Sequence, residues 1–151
     1  MISRSEVPNL LTEAVPSFAE SELWREYWQD YEAEPEPLDF LLVSAFVRHL
    51  SLRLASGHRD DMEAAMELTE RLIADGESYV HNLAVVGILE DLQNSTVHSN
   101  GVSPSDFETC LRPWSRWWWE EVHLFWAGKI PRIGLSGRPR PSGMPDPAAP
   151  G

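Results

Sequence analysis

The sequence predicts an all-α protein: an irregular bundle of about six to seven helices in antiparallel pairs, followed by a disordered Pro/Gly-rich tail. Three observations predict it. Every segment of the 151-residue chain with a clear apolar period repeats at helical spacing. Two segments, residues 38–55 and 77–93, are apolar nearly all round and run well beyond ordinary strand length. From Lys129 onward proline and glycine dominate and the period vanishes. Residues 1–128 therefore read as one helical domain and residues 129–151 as the tail.

Taken in order, residues 5–15 give an opening helix through Val7, Leu10, Leu11 and Ala14, and Pro16 ends it or starts the next. ESELWREYWQDY then sets Leu23, Trp24, Tyr27, Trp28 and Tyr31 on one stripe, with Glu22, Arg25, Glu26, Gln29 and Asp30 facing away. Pro35 and Pro37 stop that helix and leave residues 32–37 as an acidic loop. Residues 38–55 have a polar strip of only Ser44, Arg48 and Ser51, so this helix is expected at the centre, with Gly57 capping its end. DDMEAAMELTERLIADG is amphipathic: Met62, Ala65, Met66, Leu68, Thr69, Leu72 and Ile73 share one face, and Glu63, Glu67, Glu70 and Arg71 the other. Gly76 makes a short turn into residues 77–93, the second central helix, where Gly87 suits close approach of a neighbour. Ser103, Pro104 and Asp106 mark a helix start, and Pro113 breaks or kinks that helix before the last one begins.

RPWSRWWWEEVHLFWAG, residues 112–128, holds five of the seven tryptophans. On a wheel of about 100° per residue, Leu111, Trp114, Trp118, Val122 and Phe125 cluster, Trp117 and Leu124 widen the arc on one side, and Trp119 and Trp126 on the other. Arg116, Glu120 and His123 mark the solvent side. An apolar arc of about 220° is roughly double the stripe of an ordinary surface helix, so the main cluster is core. The flank pair Trp119 and Trp126 is either covered by a neighbour or left as an aromatic contact surface. Glu121 falls inside the arc and needs a partner, for which Arg48 and Arg112 are the candidates.

The formal charge is −12. From Lys129 onward the chain carries a net +3, which leaves −15 on residues 1–128. Eight acids and one base lie between Glu20 and Asp39. That sign disfavours direct binding to nucleic-acid phosphates and attracts a basic partner. The bland alternative is a coat of charge that keeps the protein soluble. A lone cysteine, Cys110, excludes an intramolecular disulfide and suits a reducing compartment. With no secretory h-region and no run of about 18 apolar residues, a cytoplasmic protein outside the membrane is expected.

Catalytic signatures are absent: no P-loop, GxGxxG, GxSxG or HExxH occurs. Glu120-x-x-His123 is a single copy of a motif that di-iron bundles need twice, so no metal and no cofactor is expected. RPRP in the tail is a sequence that aromatic grooves accept, although a plain solubilising tail accounts for it as well.

YVHNLAVVGILEDLQN followed by a tryptophan-rich last helix resembles small acidic all-helical bacterial proteins of unknown function, some of which are similar to immunity proteins of polymorphic toxin systems. The resemblance spans residues 7–128 and rests on hydrophobic patterning. It implies a compact, non-enzymatic protein that neutralises a partner protein, and it carries over no site residues. Toxins blocked in this way are often nucleases with basic clefts. The expected contact surface is Glu22, Glu26, Asp30, Glu32, Glu34 and Glu36, with Trp119 and Trp126 as an apolar anchor, on a monomer or homodimer. The alternatives are a nucleic-acid mimic, or an enzyme or small-ligand binder whose pocket lies between the two central helices and uses Arg48, His49, His81 or Glu121.

Overall fold

The described residues up to Trp126 are built mainly from helices in the computed structural model, which describes residues 1–31, 39–94, 98 and 101–147. No strand forms among them. One isolated parallel bridge joins Ile2 to Gly76, where the Ile2 N–H donates to Asp75 O at 2.8 Å and the Glu77 N–H donates to Ile2 O at 2.9 Å. No helix of the described residues is long and apolar enough to cross a membrane.

Helices α1 (Val7–Ala14), α2 (Pro16–Ala19) and α3 (Glu22–Tyr31) follow one another with hardly a loop. Pro16 does both jobs open to it, since α1 stops before it and α2 begins on it. In α3, Tyr27 is buried and Leu23, Trp24 and Trp28 are half-buried, while Glu22, Arg25, Glu26, Gln29 and Asp30 are exposed. Trp24 stands edge-on to Phe18 at 5.3 Å and to Trp28 at 5.5 Å, which fixes α3 on α2. The acidic loop expected at residues 32–37 lies outside the described residues.

Helix α4 (Asp39–Ala55) is one of two central helices and buries Leu42, Val43, Phe46, Val47 and Leu50. It closes in a Schellman motif. His58 N–H reaches Arg53 O at 2.9 Å and Gly57 N–H reaches Leu54 O at 3.0 Å, with Gly57 at φ +88°. Helix α5 (Arg59–Asp75) buries Met62, Ala65, Met66, Leu68, Thr69, Leu72 and Ile73, the face its period assigns. The second central helix runs through α6 (Ser78–Asn82), a π-helical stretch Leu83–Leu89 and α7 (Glu90–Gln93). The sequence gives no sign of the π stretch. It carries Gly87, where a Cβ would stand 2.8 Å from Val43 Cγ2, so the two central helices touch through a missing side chain.

Helix α8 (Ser105–Glu108) is a single turn, opened by Asp106 Oδ2 accepting the Ser103 N–H at 2.8 Å. Pro113 starts α9 (Pro113–Trp126), whose first amides find their acceptor on another helix. Glu70 of α5 takes the Trp114 N–H on Oε2 at 2.9 Å and the Ser115 N–H on Oε1 at 2.7 Å. A carboxylate in this place satisfies two orphan donors and faces the positive end of the helix dipole. Gly128, at φ +74°, ends α9 in a second Schellman motif, with Lys129 N–H on Leu124 O at 2.9 Å.

The tail after Gly128 forms no helix or strand among its described residues, in keeping with its composition. Residues 129–147, without helix or strand, return along α9. Met144 is buried, and Gly134 lies so near Trp118 that a Cβ there would meet the ring at 3.2 Å.

Replacing Glu70 by alanine should lower stability by about 1–2 kcal/mol, by loss of the α9 cap. Urea unfolding followed by tryptophan fluorescence measures it, and an unchanged midpoint would show that water caps α9 equally well.

Candidate functional site

The aromatic helix α9 divides its tryptophans between core and surface. Trp117, Trp118 and Trp119 are buried, Trp114 is half-buried and Trp126 is 45% exposed. The flank pair is therefore split. Trp119 is only 4% exposed, and Gln93 of α7 binds its carbonyl through Nε2 at 2.9 Å. Trp126, the last residue of α9, donates Nε1 to Glu90 Oε1 at 3.2 Å. Phe125 is also exposed, against its place in the wheel's main cluster. Arg116, Glu120 and His123 are exposed.

Glu121 has no solvent exposure. Its partner is Arg138 of the tail, at 2.8 Å, rather than Arg48 or Arg112. Arg48 is exposed on α4, and Arg112 lies 4.0 Å from Glu67. The sequence ranks the tail as structureless, so its arginines are not considered as partners. The buried acid was the signal that should have drawn them in.

Nor do Arg48, His49, His81 and Glu121 converge on one pocket between the central helices. His49 is buried with Nε2 at 2.8 Å from Ser17 Oγ and its ring 5.5 Å from Phe18. His81 places Nδ1 at 3.1 Å from Ile73 O and its ring edge-on to Trp118 at 5.0 Å. His49, His81 and Glu121 are each met separately, by a hydroxyl, a carbonyl and the tail. Among the described residues no three His, Cys, Asp or Glu side chains are grouped to hold a metal ion.

His81 does line a cleft of about 660 Å³ between the end of α5, α6, the π stretch, α9 and the tail. Val85, Val86, Trp114, Trp118 and Met144 supply apolar wall, and Glu77 and Asp146 supply acid. The Trp118 indole Nε1 is buried without a partner.

A second surface begins on α3. Glu26, Tyr27 and Asp30 line a recess of about 220 Å³ with Leu41, Ser44 and Arg48 of α4. Asp91 of α7 neighbours Ser44 and Arg48 of that recess. Burial pushes its carboxyl above the ordinary value and Glu90 adds to that, against the Ser44 hydroxyl and the Arg48 charge. Glu90 in turn holds Trp126. The exposed acids Glu26 and Asp30 are thus linked across α4 and α7 to Trp126, with Glu22 exposed on α3 outside the recess, whereas buried Trp119 takes no part. Glu32, Glu34 and Glu36 lie outside the described residues.

Residues 8–127 match the family described as Domain of unknown function (DUF7674). The chain belongs to that family. No curated protein and no solved structure matches it. The family match takes in α3, both central helices and α9, and stops before the returning tail.

Two outcomes follow from this geometry. Arg138→Ala strands the buried Glu121 and should cost about 3–5 kcal/mol in denaturant unfolding; a loss near zero would mean that water or another cation replaces the guanidinium. Burial, and then the Arg53 charge, lower the His49 pKa, with Asp61 opposing. The folded value lies below the unfolded one, so the unfolded chain binds more protons in the window beneath about 6.5. The His49 contribution is full above that window and shrinks as pH falls through it. Comparing wild type with His49→Gln at about pH 7.5 and about pH 5.5 should show their stability difference narrowing at the lower pH, and a constant difference excludes His49 as the source.

Proposed function

We propose that this chain is a non-enzymatic protein-binding domain for a basic partner protein, acting in the cytoplasm in the manner of an immunity protein that neutralises a toxin. The observation that carries the reading is the run of neighbours from Glu26 and Asp30 through Arg48, Asp91 and Glu90 to Trp126. It offers open acid at one end and a half-exposed indole at the other. Acids of one sign raise the rate of encounter with a basic surface. A tryptophan beside them supplies the kind of anchor on which interface energy concentrates. The charge of −15 on residues 1–128 points the same way.

A second reading is a small-ligand binder, and its observation is the 660 Å³ cleft at His81, whose volume suits a small molecule. It draws on only one of the four polar residues expected in a pocket.

Affinity capture with the tagged full chain at low and high salt tests the first reading. One stoichiometric basic protein, released as salt rises, is the expected result. Glu26→Lys combined with Asp30→Lys should weaken its capture at least about tenfold with the melting temperature nearly unchanged. Equal capture by wild type and variant at both salts would move the site off α3, and an empty column at every salt would remove the partner-binding reading itself.

A further inference from the structure

The arginine–proline motif of the tail and the tryptophan face of α9 meet each other. Both oxygens of Glu121 are taken by the tail. Arg138 donates to Oε2 through Nε at 2.9 Å and sits in ion-pair contact at 2.8 Å, while the Ser136 N–H donates to Oε1 at 3.2 Å. The same guanidinium donates to Trp117 O at 2.7 Å and lies 5.0 Å from the centre of the Trp117 ring. One residue further, the Trp117 indole N–H donates to Pro139 O at 2.9 Å. Gly134 lies on Trp118, and Met144 is buried beyond it.

Each group on α9 reads a different property of the bound segment. The buried carboxylate selects a planar, permanently charged cation in a fixed orientation. The indole face accepts the guanidinium plane. The indole N–H takes a proline carbonyl, which is how aromatic grooves hold proline-rich ligands. No regular secondary structure ties the segment to the helix, so a free peptide can present the same groups. The family match ends at residue 127, so the receiving face lies inside the domain and the occupant outside it.

We propose that the Trp117–Glu121 face of α9 is a recognition site for arginine–proline peptide segments, held in cis by residues 134–144 and able to take a segment of the same chemistry from a partner protein when that strap is displaced. This stands apart from the α3 surface and does not rest on the function proposed above. The strap competes at the local concentration of a tethered ligand, of order millimolar, so it suppresses weak trans ligands.

The test uses a labelled synthetic peptide of residues 132–145, followed by fluorescence anisotropy on the full chain. Wild type should take up the peptide only near millimolar concentration. The Arg138→Ala chain, whose own strap has lost its guanidinium, should bind it at lower concentration. The same peptide carrying Arg138→Ala should bind that chain at least about tenfold more weakly. Because Arg138→Ala leaves a buried acid unpaired, Gly134→Ala runs beside it. A side chain at φ +100°, within 3.2 Å of Trp118, loosens the strap while Glu121 and Arg138 stay intact. Its affinity for the peptide should fall between wild type and Arg138→Ala, with the same preference for the arginine. Should Arg138→Ala not fold, Gly134→Ala decides alone. Equal binding of the two peptides, or none of either by the folded variants, would overturn the proposal and leave the strap as packing.

Discussion

Glu121 sits at zero exposure in the middle of an aromatic helix, where a carboxylate without a cation would cost several kcal/mol. Everything on that side of the molecule is arranged around meeting this demand. Gly128 turns the chain back after α9, which brings Arg138 within reach of the acid. Bringing Arg138 there lays Pro139 on the Trp117 indole and Gly134 on Trp118. The same return supplies Met144 and Pro145 to the wall of the cleft at His81. One ion pair therefore helps hold a segment without helix or strand as a covering for Trp117 and Trp118. It also leaves Trp126 outside that covering, half exposed beside Glu90.

The helices were legible where a helix's own period decides its burial. The α5 face is the clearest case: the seven residues on its apolar stripe are the seven that are buried. The central helices were legible by length and lack of a polar face, and Gly87 by its cost in a helix that keeps it regardless. What periodicity does not encode is the neighbour. Trp119 and Trp126 occupy the same flank of one wheel and both bond to α7, yet one is buried and the other half exposed. Glu70 reads as a solvated acid on the polar side of α5, but α9 begins beside it and its amides lack acceptors. The π stretch is hidden for a related reason. A segment apolar all round gives no phase from which a change of helical pitch could be noticed.

For the site, sequence supplied residues that need partners rather than residues that share a task. His49, His81 and Glu121 each stand on an apolar helix and so announce a polar demand. Ser17, the Ile73 carbonyl and Arg138 answer those demands separately. A shared pocket would have required their side chains to face one cavity, and each side chain is instead engaged by its own partner. The acid face of α3 was legible because exposure follows directly from amphipathicity. Its connection to Trp126 through Ser44, Arg48, Asp91 and Glu90 was not, since it crosses three helices that are distant in sequence.

The charge distribution separates two kinds of electrostatics. The +3 tail could be drawn to any acid on a body carrying −15, and α3 presents the denser cluster. It lies on α9 instead. Exposed carboxylates on α3 keep their water, so an arginine gains little from any one of them. Glu121 has lost its water, and an arginine that also stacks on Trp117 and donates to its carbonyl replaces what was lost. Open acid sets how often a basic segment arrives, and desolvated acid with oriented donors and acceptors sets which segment stays. Salt acts mainly on the first, because screening by ions reaches exposed charges far more than a pair from which solvent is excluded. The same division would give the two proposed surfaces different selectivity: α3 would favour positive charge of any shape, while α9 would require a guanidinium next to a carbonyl at a fixed spacing.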